Sequence, residues 1–143
     1  MKILFKKLQE KVHTPTYGSP YSAGADLYSA DETVTIAPGE SRLIHTGIAV
    51  EIPVGYVGLV YARSGLACKR GLAPANKVGV VDSDYRGEFM IVLHNHGVEP
   101  QTIEHGERIA QLVITPVYTP GFVEIEELSS TERSSGGFGS TGK

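Results

Sequence analysis

Asp82 and Asp84 stand two residues apart in Gly79-Val80-Val81-Asp82-Ser83-Asp84-Tyr85-Arg86-Gly87, with Arg86 two further on. If the segment is extended, all three share a face, because a strand has a period of two. Two near carboxylates can hold a metal or activate water. A hairpin tip with its charges in solvent is the commoner use of a lone Asp-x-Asp. The aspartic-protease signatures Asp-Thr-Gly and Asp-Ser-Gly are absent from this segment. A second set is Ala62-Arg63-Ser64-Gly65-Leu66. Here Ser64 can cap a short helix, and a hydroxyl and a guanidinium beside free N–H groups can take a phosphate. An ordinary serine cap with an exposed arginine explains the same residues equally well.

Three further segments carry polar groups in unusual places. In Ala23-Gly24-Ala25-Asp26-Leu27 a glycine precedes an acidic residue. Taken alone, that is a turn whose aspartate bonds its own backbone. Gln111 lies inside the apolar run Ile109 to Ile114 and needs a partner there, with backbone favoured over ligand. The last segment, Arg133-Ser134-Ser135-Gly136-Gly137-Phe138-Gly139-Ser140-Thr141-Gly142-Lys143, is rich in glycine. Such a run can wrap its N–H groups around phosphates. Gly137 to Lys143 matches the opening of a P-loop, but no Ser or Thr follows Lys143 and no strand–loop–helix surrounds it. Phe138 has no core to join, so it suggests a stacking surface for a planar ligand. The five histidines, His13, His45, His94, His96 and His105, form no helical metal motif and read as structural or solvent-facing.

The elements that must position these residues are short. The chain has 143 residues, 17 of them Gly and 8 Pro. Turn signals stand at Pro38-Gly39, Pro53-Val54-Gly55, Asn95-His96-Gly97, His105-Gly106 and Pro120-Gly121. Ile48, Val50 and Ile52 alternate with Ala49 and Glu51, as in a half-buried strand. Val57 to Tyr61, Phe89 to Leu93 and Ile109 to Ile114 read as strands buried on both faces or at a subunit contact. Ser64 to Gly71 predicts one short helix, ended by Gly71 in the left-handed conformation. The pattern is all-β, a sandwich or barrel of many short strands.

Composition sets outer limits. A chain of this length can bury its own core as one domain. Residues 1–128 are expected to form the β-barrel domain. From Ser129 the chain is nearly all Ser, Thr and Gly, so residues 129–143 are expected to be a flexible tail. A net charge of −3 argues against general nucleic-acid binding. A single cysteine, Cys68, excludes an intrachain disulfide and favours a reducing compartment. The start of the chain has neither a signal-peptide apolar run nor a membrane span. The expectation is a cytoplasmic protein with no membrane partner.

The five segments, in this order, resemble the five motifs of the trimeric deoxyuridine triphosphatases (dUTPases). The likeness runs from about Tyr21 to Lys143 and is carried by Ala-Gly-Ala-Asp-Leu, Arg-Ser-Gly-Leu-Ala, Gly-Val-Val-Asp-Ser-Asp-Tyr-Arg-Gly, Glu-Arg-Ile-Ala-Gln-Leu and the glycine-rich tail. Two departures are visible. Ala62 stands where the family often has Pro, and Ser134 where Gly often follows the tail arginine. Neither removes a functional side chain.

The resemblance implies a jelly-roll-like β-barrel with one short helix, and a homotrimer with shared active sites. It implies hydrolysis of dUTP to dUMP and diphosphate, with Mg²⁺ on the triphosphate. Such an activity limits uracil incorporation into DNA and supplies dUMP for dTTP synthesis. By the same resemblance, Asp82 is the general base and Tyr85 lies under the deoxyribose. Backbone groups around Asn76 and Val80, Val81 and Asp82 read uracil, with Met90 nearby. Arg63, Ser64, Gly65 and Gln111 meet phosphates, and Asp26 holds the magnesium through water. Arg133 grips the terminal phosphate, Phe138 covers the uracil, and Gly139 and Ser140 wrap the phosphate chain. The resemblance implies no direct nucleic-acid binding, and a nuclear location as well if the source is eukaryotic or viral. The rival readings are a dCTP deaminase, which lacks this tail, a non-catalytic nucleotide-binding module, and a capsid-like jelly roll.

Overall fold

The computed structural model describes residues 1–137. Its longest strand follows the alternation of apolar residues noted above. β1 is Leu4–Lys7, β2 Thr16–Tyr17, β3 Ala25–Tyr28, β4 Val34–Ile36 and β5 Ser41–Glu51. β6 is Tyr56–Tyr61, α1 Ser64–Arg70, β7 Leu72–Pro74 and β8 Gly79–Val81. β9 is Glu88–Asn95, β10 Gln101–Ile103 and β11 Arg108–Pro116. One sheet runs β1-β5-β9-β7, a second runs β2-β3-β11-β6-β8, and β10 with β4 forms a ribbon. Every pairing is antiparallel. The all-β expectation with one helix is met. The strands are arranged as separate jelly-roll-like sheets rather than one continuous hydrogen-bonded ring.

Alternation determines which side chains enter the core. Ile48, Val50 and Ile52 are buried while Glu51 is exposed. On β9 Phe89, Ile91 and Leu93 point inward, whereas Met90 and Val92 are exposed at 42% and 39%. The apolar run of β9 is therefore buried on one face only within a single chain. Leu27 of β3, Val60 of β6 and Ile109, Ala110 and Leu112 of β11 close the core from the second sheet.

The ladder between β5 and β9 breaks once. His45 pairs with Met90 and Ala49 with Glu88, so β5 carries extra residues between them. This bulge is possible because of Gly47, whose φ is +66°. A Cβ there would also lie 2.3 Å from a methyl of Val12. Gly47 inside the strand is the one local sign of it, and the alternation resumes on the far side.

The helix forms where expected and starts one residue earlier in role. Arg63, not Ser64, is the N-cap, and its side chain makes no capping bond. Ser64 is the first helical residue, so the expected serine cap is not formed. Gly71 ends the helix at φ 65°, and its N–H bonds back to the carbonyls of Ala67 and Leu66. Arg70 of the last turn reaches Gln101 at 2.9 Å, and also Glu107 and the Thr102 carbonyl. It thereby ties the helix to β10 and to the chain entering β11. No helix among the described residues is long and apolar enough to cross a membrane.

Candidate active site

The expected site residues fall into two groups. The first lines a cavity of about 470 Å³ between the edge strand β8 and the outer face of β9. Asn76, Val80, Val81, Asp82, Tyr85 and Met90 all contribute to its wall. The hairpin that carries Asp82 is not extended. The Tyr85 N–H bonds the Asp82 carbonyl at 3.2 Å, which closes a turn. Asp82, Asp84 and Arg86 therefore do not share the face that an extended segment would give; they form the hairpin tip with exposed charges that is the commoner use of Asp-x-Asp. The Arg86 guanidinium folds onto the carbonyls of Ser83 and Tyr85, at 2.7 and 3.0 Å, and stiffens the turn.

Tyr85 is fixed at two points. Its hydroxyl donates to the Glu88 carbonyl at 3.0 Å. Its ring lies so close to Gly87 that a Cβ there would stand 2.4 Å from the phenol oxygen. The glycine of this motif is thus a packing requirement of the tyrosine beside it. Asp82 itself is exposed, and among the described residues no side chain hydrogen-bonds its carboxylate.

The second group gathers at β3, β6, β11 and the start of α1. Asp26 is buried to 8% exposure in β3 rather than in a turn. Arg63 Nε bonds one of its oxygens at 2.8 Å, and Arg108 Nη1 bonds the other at 3.2 Å. Arg63 also reaches the Arg108 carbonyl at 3.4 Å. Two cations shared by one carboxylate leave this corner net positive, which suits an anion. Arg108 was missed in the sequence. Its signal was there, in the Glu-Arg-Ile-Ala-Gln segment, but nothing in the spacing said that it would meet Asp26.

Gln111 pairs across β11 with Asp26 on one side and Tyr61 on the other. Its Nε2 donates to the Ala62 carbonyl at 2.9 Å, so its partner is backbone, as expected. A Cβ on Gly24 would lie 2.7 Å from the Gln111 amide oxygen, which gives that glycine its reason. Ser64 and Gly65 are exposed beside this corner. Arg63, Ser64, Gly65, Gln111 and Asp26 do not line the β8–β9 cavity. One chain thus presents two separate groups of expected site residues, each a half-site on the reading that the resemblance implies.

Arg133 stands apart from both. Its Nε folds onto the Gly136 carbonyl at 2.9 Å, within the turn Glu132–Ser135. Ser134, at the position where the resemblance expects glycine, has φ +46°. A left-handed serine carries a strain that glycine would not. Phe138, Gly139 and Ser140 lie outside the described residues.

Among the described residues no cluster of three or more His, Cys, Asp or Glu side chains could hold a metal. Asp26 is suited to an outer role. Each of its oxygens already accepts one guanidinium bond and keeps lone-pair capacity for a water carried by a metal.

The chain is similar to known proteins over nearly its whole length. A family model described as dUTPase matches residues 10–142. The chain is 49% identical over 142 residues to the deoxyuridine 5'-triphosphate nucleotidohydrolase of Hydrogenobaculum sp. (strain Y04AAS1), covering 99% of each. It is 50% identical over 143 residues to the enzyme of the same name from Nautilia profundicola, covering 100% of each. A solved Staphylococcus bacteriophage 80alpha dUTPase variant with dUpNHpp superposes with a TM-score of 0.92 at 34% identity, covering 99% of each chain. A dUTPase variant from phage phi11 of S. aureus, described with a coordinated structural Mg(II) ion, gives 0.83 at 31% identity over 91% of this chain and 100% of that one.

Proposed function

The chain belongs to the dUTPase family, and on that premise we propose that it cleaves dUTP to dUMP and diphosphate by attack of water, activated at Asp82, on the α-phosphate. The observation that carries this reading is the β8–β9 cavity, whose wall holds Asp82, Tyr85 and Asn76 together. β8 is the last strand of its sheet. An edge strand leaves main-chain donors and acceptors unpaired along its free side. Around Asn76 and Val80–Asp82 these groups suit the edge of uracil, with Met90 as an apolar wall. Donors and acceptors matched to uracil discriminate against cytosine, since a mismatched base leaves buried polar groups unpaired. Tyr85, held against Gly87, gives the deoxyribose a floor without space for a 2′-hydroxyl.

In the reaction the Asp82 carboxylate takes a proton from the water as its oxygen bonds the α-phosphorus, and diphosphate leaves. Hydrolysis of this kind needs positioning and charge neutralisation more than covalent chemistry. Arg63, Ser64, Gly65 and Gln111 supply phosphate contacts, and Arg133 a further cation. Mg²⁺ on the triphosphate would supply charge neutralisation, and Asp26 would be the residue to hold it through water. Phe138, Gly139 and Ser140 complete the site over uracil and phosphates.

Both half-sites are needed for one substrate and stand apart on one chain, which supports a homotrimer whose sites draw on different subunits. Val117 to Leu128 supports it too. That segment exposes Tyr118, Phe122, Val123, Ile125 and Leu128, an apolar surface suited to a neighbouring subunit. In this reading residues 1–128 are the body and residues 129–143 close over a site. The product dUMP feeds dTTP synthesis, and removal of dUTP limits uracil in DNA. On this reading the activity serves the nucleotide pool of the cytoplasm, or of the nucleus in a eukaryotic or viral setting.

The test is diphosphate release from dUTP, with dCTP, dTTP and UTP as controls and ammonia release from dCTP measured alongside. Rapid turnover of dUTP alone is the expected result. Ammonia release from dCTP, or no turnover of any nucleotide, would overturn the proposal.

A further inference from the structure

The β5 bulge lies beside the hairpin of Tyr85, and Glu88 joins the two. At the bulge the strand ladder is interrupted, so main-chain groups of β5 need other partners. The Glu88 carboxylate supplies them. One oxygen accepts the Gly47 N–H at 2.7 Å, and the other bonds His45 Nδ1 at 2.9 Å. The Thr46 hydroxyl donates to the Phe89 carbonyl next door. From the far side, Asp31 accepts the His45 N–H at 2.9 Å. Gly47 is wedged against Val12 with no room for a side chain, so the bulge has little freedom to shift.

Glu88 also reaches the candidate site. It lines the β8–β9 cavity, and its main-chain carbonyl receives the Tyr85 hydroxyl. The Tyr85 ring centre lies 6.3 Å from that of Phe89, the next residue of β9. We propose that Glu88 is a positioning residue for sugar selection: its carboxylate, clasped by the bulge, holds in place the carbonyl on which Tyr85 docks. The inference rests on the assignment of Tyr85 to the deoxyribose. Excluding a hydroxyl from the space of a hydrogen is a matter of fractions of an ångström. A tyrosine docked on a loose strand end would not hold that tolerance.

The experiment is a double-mutant cycle on the full-length protein with Glu88→Ala and Tyr85→Phe, reading KM, kcat and the preference for dUTP over UTP. Loss of one docking bond is worth about two- to tenfold. Each single variant should raise KM for dUTP and lower the preference by about that factor, with kcat moved less. The double variant should resemble the singles, because both break the same linkage. Glu88→Gln should recover most of the loss, since its amide oxygen still accepts the Gly47 N–H. Additive effects in the cycle, or an unchanged KM and preference in Glu88→Ala, overturn the proposal. If Glu88→Ala does not fold, His45→Ala replaces it in the cycle with the same two outcomes. Failure of the underlying assignment looks different: Tyr85→Ala would then leave sugar preference intact.

Discussion

In the proposed reaction Asp82 is the base, and few contacts are needed to place it. It lines the β8–β9 cavity, stays exposed, and is placed by the turn that its own carbonyl closes with the Tyr85 N–H. Asp82→Asn keeps that turn and removes the base. Turnover should fall about 10²- to 10⁴-fold with KM nearly unchanged, and a fully active variant would take Asp82 out of its role. His45 offers a second test. Its hydrogen bond to Glu88 raises its pKa above 6.5, burial opposes this, and Coulomb attraction to Glu88 and Asp31 adds to the rise. A raised folded pKa stabilises the protein fully below 6.5, and the gain is lost as pH climbs through the folded value. The imidazole is 41% exposed, so solvent screens the effect and it should be modest. The gap in Tm between the native chain and His45→Gln should be wider near pH 6 than near pH 8.5. An equal gap at both would show that the pair's charge does not matter.

Short strands need fasteners at their ends, and Asn95 is the clearest. It is fully buried at the end of β9. Its amide donates to the carbonyls of Ile36 and Glu99, both at 2.9 Å, while its oxygen accepts the Gly97 N–H at 2.9 Å. One side chain thus joins β4, β9 and the loop to β10. Asn95→Ala leaves three main-chain groups without their partner. The cost should be about 3 kcal/mol or more, a fall in Tm on the order of 10 °C. A thermal scan showing a fall of a degree or two would mean that the loop re-pairs without it. In the sequence, Asn95-His96-Gly97 was legible as a turn. That its first residue would be a fastener was not, because the carbonyls it binds are 59 and 4 residues away.

At the scale of the molecule the proposed composite site is the consequence that can be tested most sharply. One parent carries Asp82→Asn with its tail intact. The other keeps Asp82 and ends after Glu132. Each alone should be nearly inactive. After equal mixing and subunit exchange, a site works if its hairpin comes from the second parent and its tail from the first. Random assembly makes that one half times one half, so about a quarter of sites should recover. If hairpin and tail of a site belonged to one chain, no activity would return. Sedimentation of the native protein should accordingly give about 46 kDa, three chains of 15.3 kDa.

The sequence by itself determined the strand alternation, the helix and its glycine stop, and the five motifs. Each of these is written in neighbouring residues: a period of two, a Gly at a helix end, an aspartate beside a glycine. Tertiary structure decided the rest. It drew Asp26 between Arg63 and Arg108, residues 37 and 82 positions away, and made a salt-bridged corner out of what looked like a turn. It decided between an extended face and a hairpin tip for the Asp82 segment, two readings that the residues left open. It left Met90 and Val92 exposed beside a cavity and put Arg63, Ser64, Gly65 and Gln111 elsewhere. The bulge at Gly47 belongs to the same class, because it depends on Glu88 from another strand. Local pattern fixes which residues point inward. Which distant residues then face each other follows from strand order and register, and those arise from the packing of the whole chain.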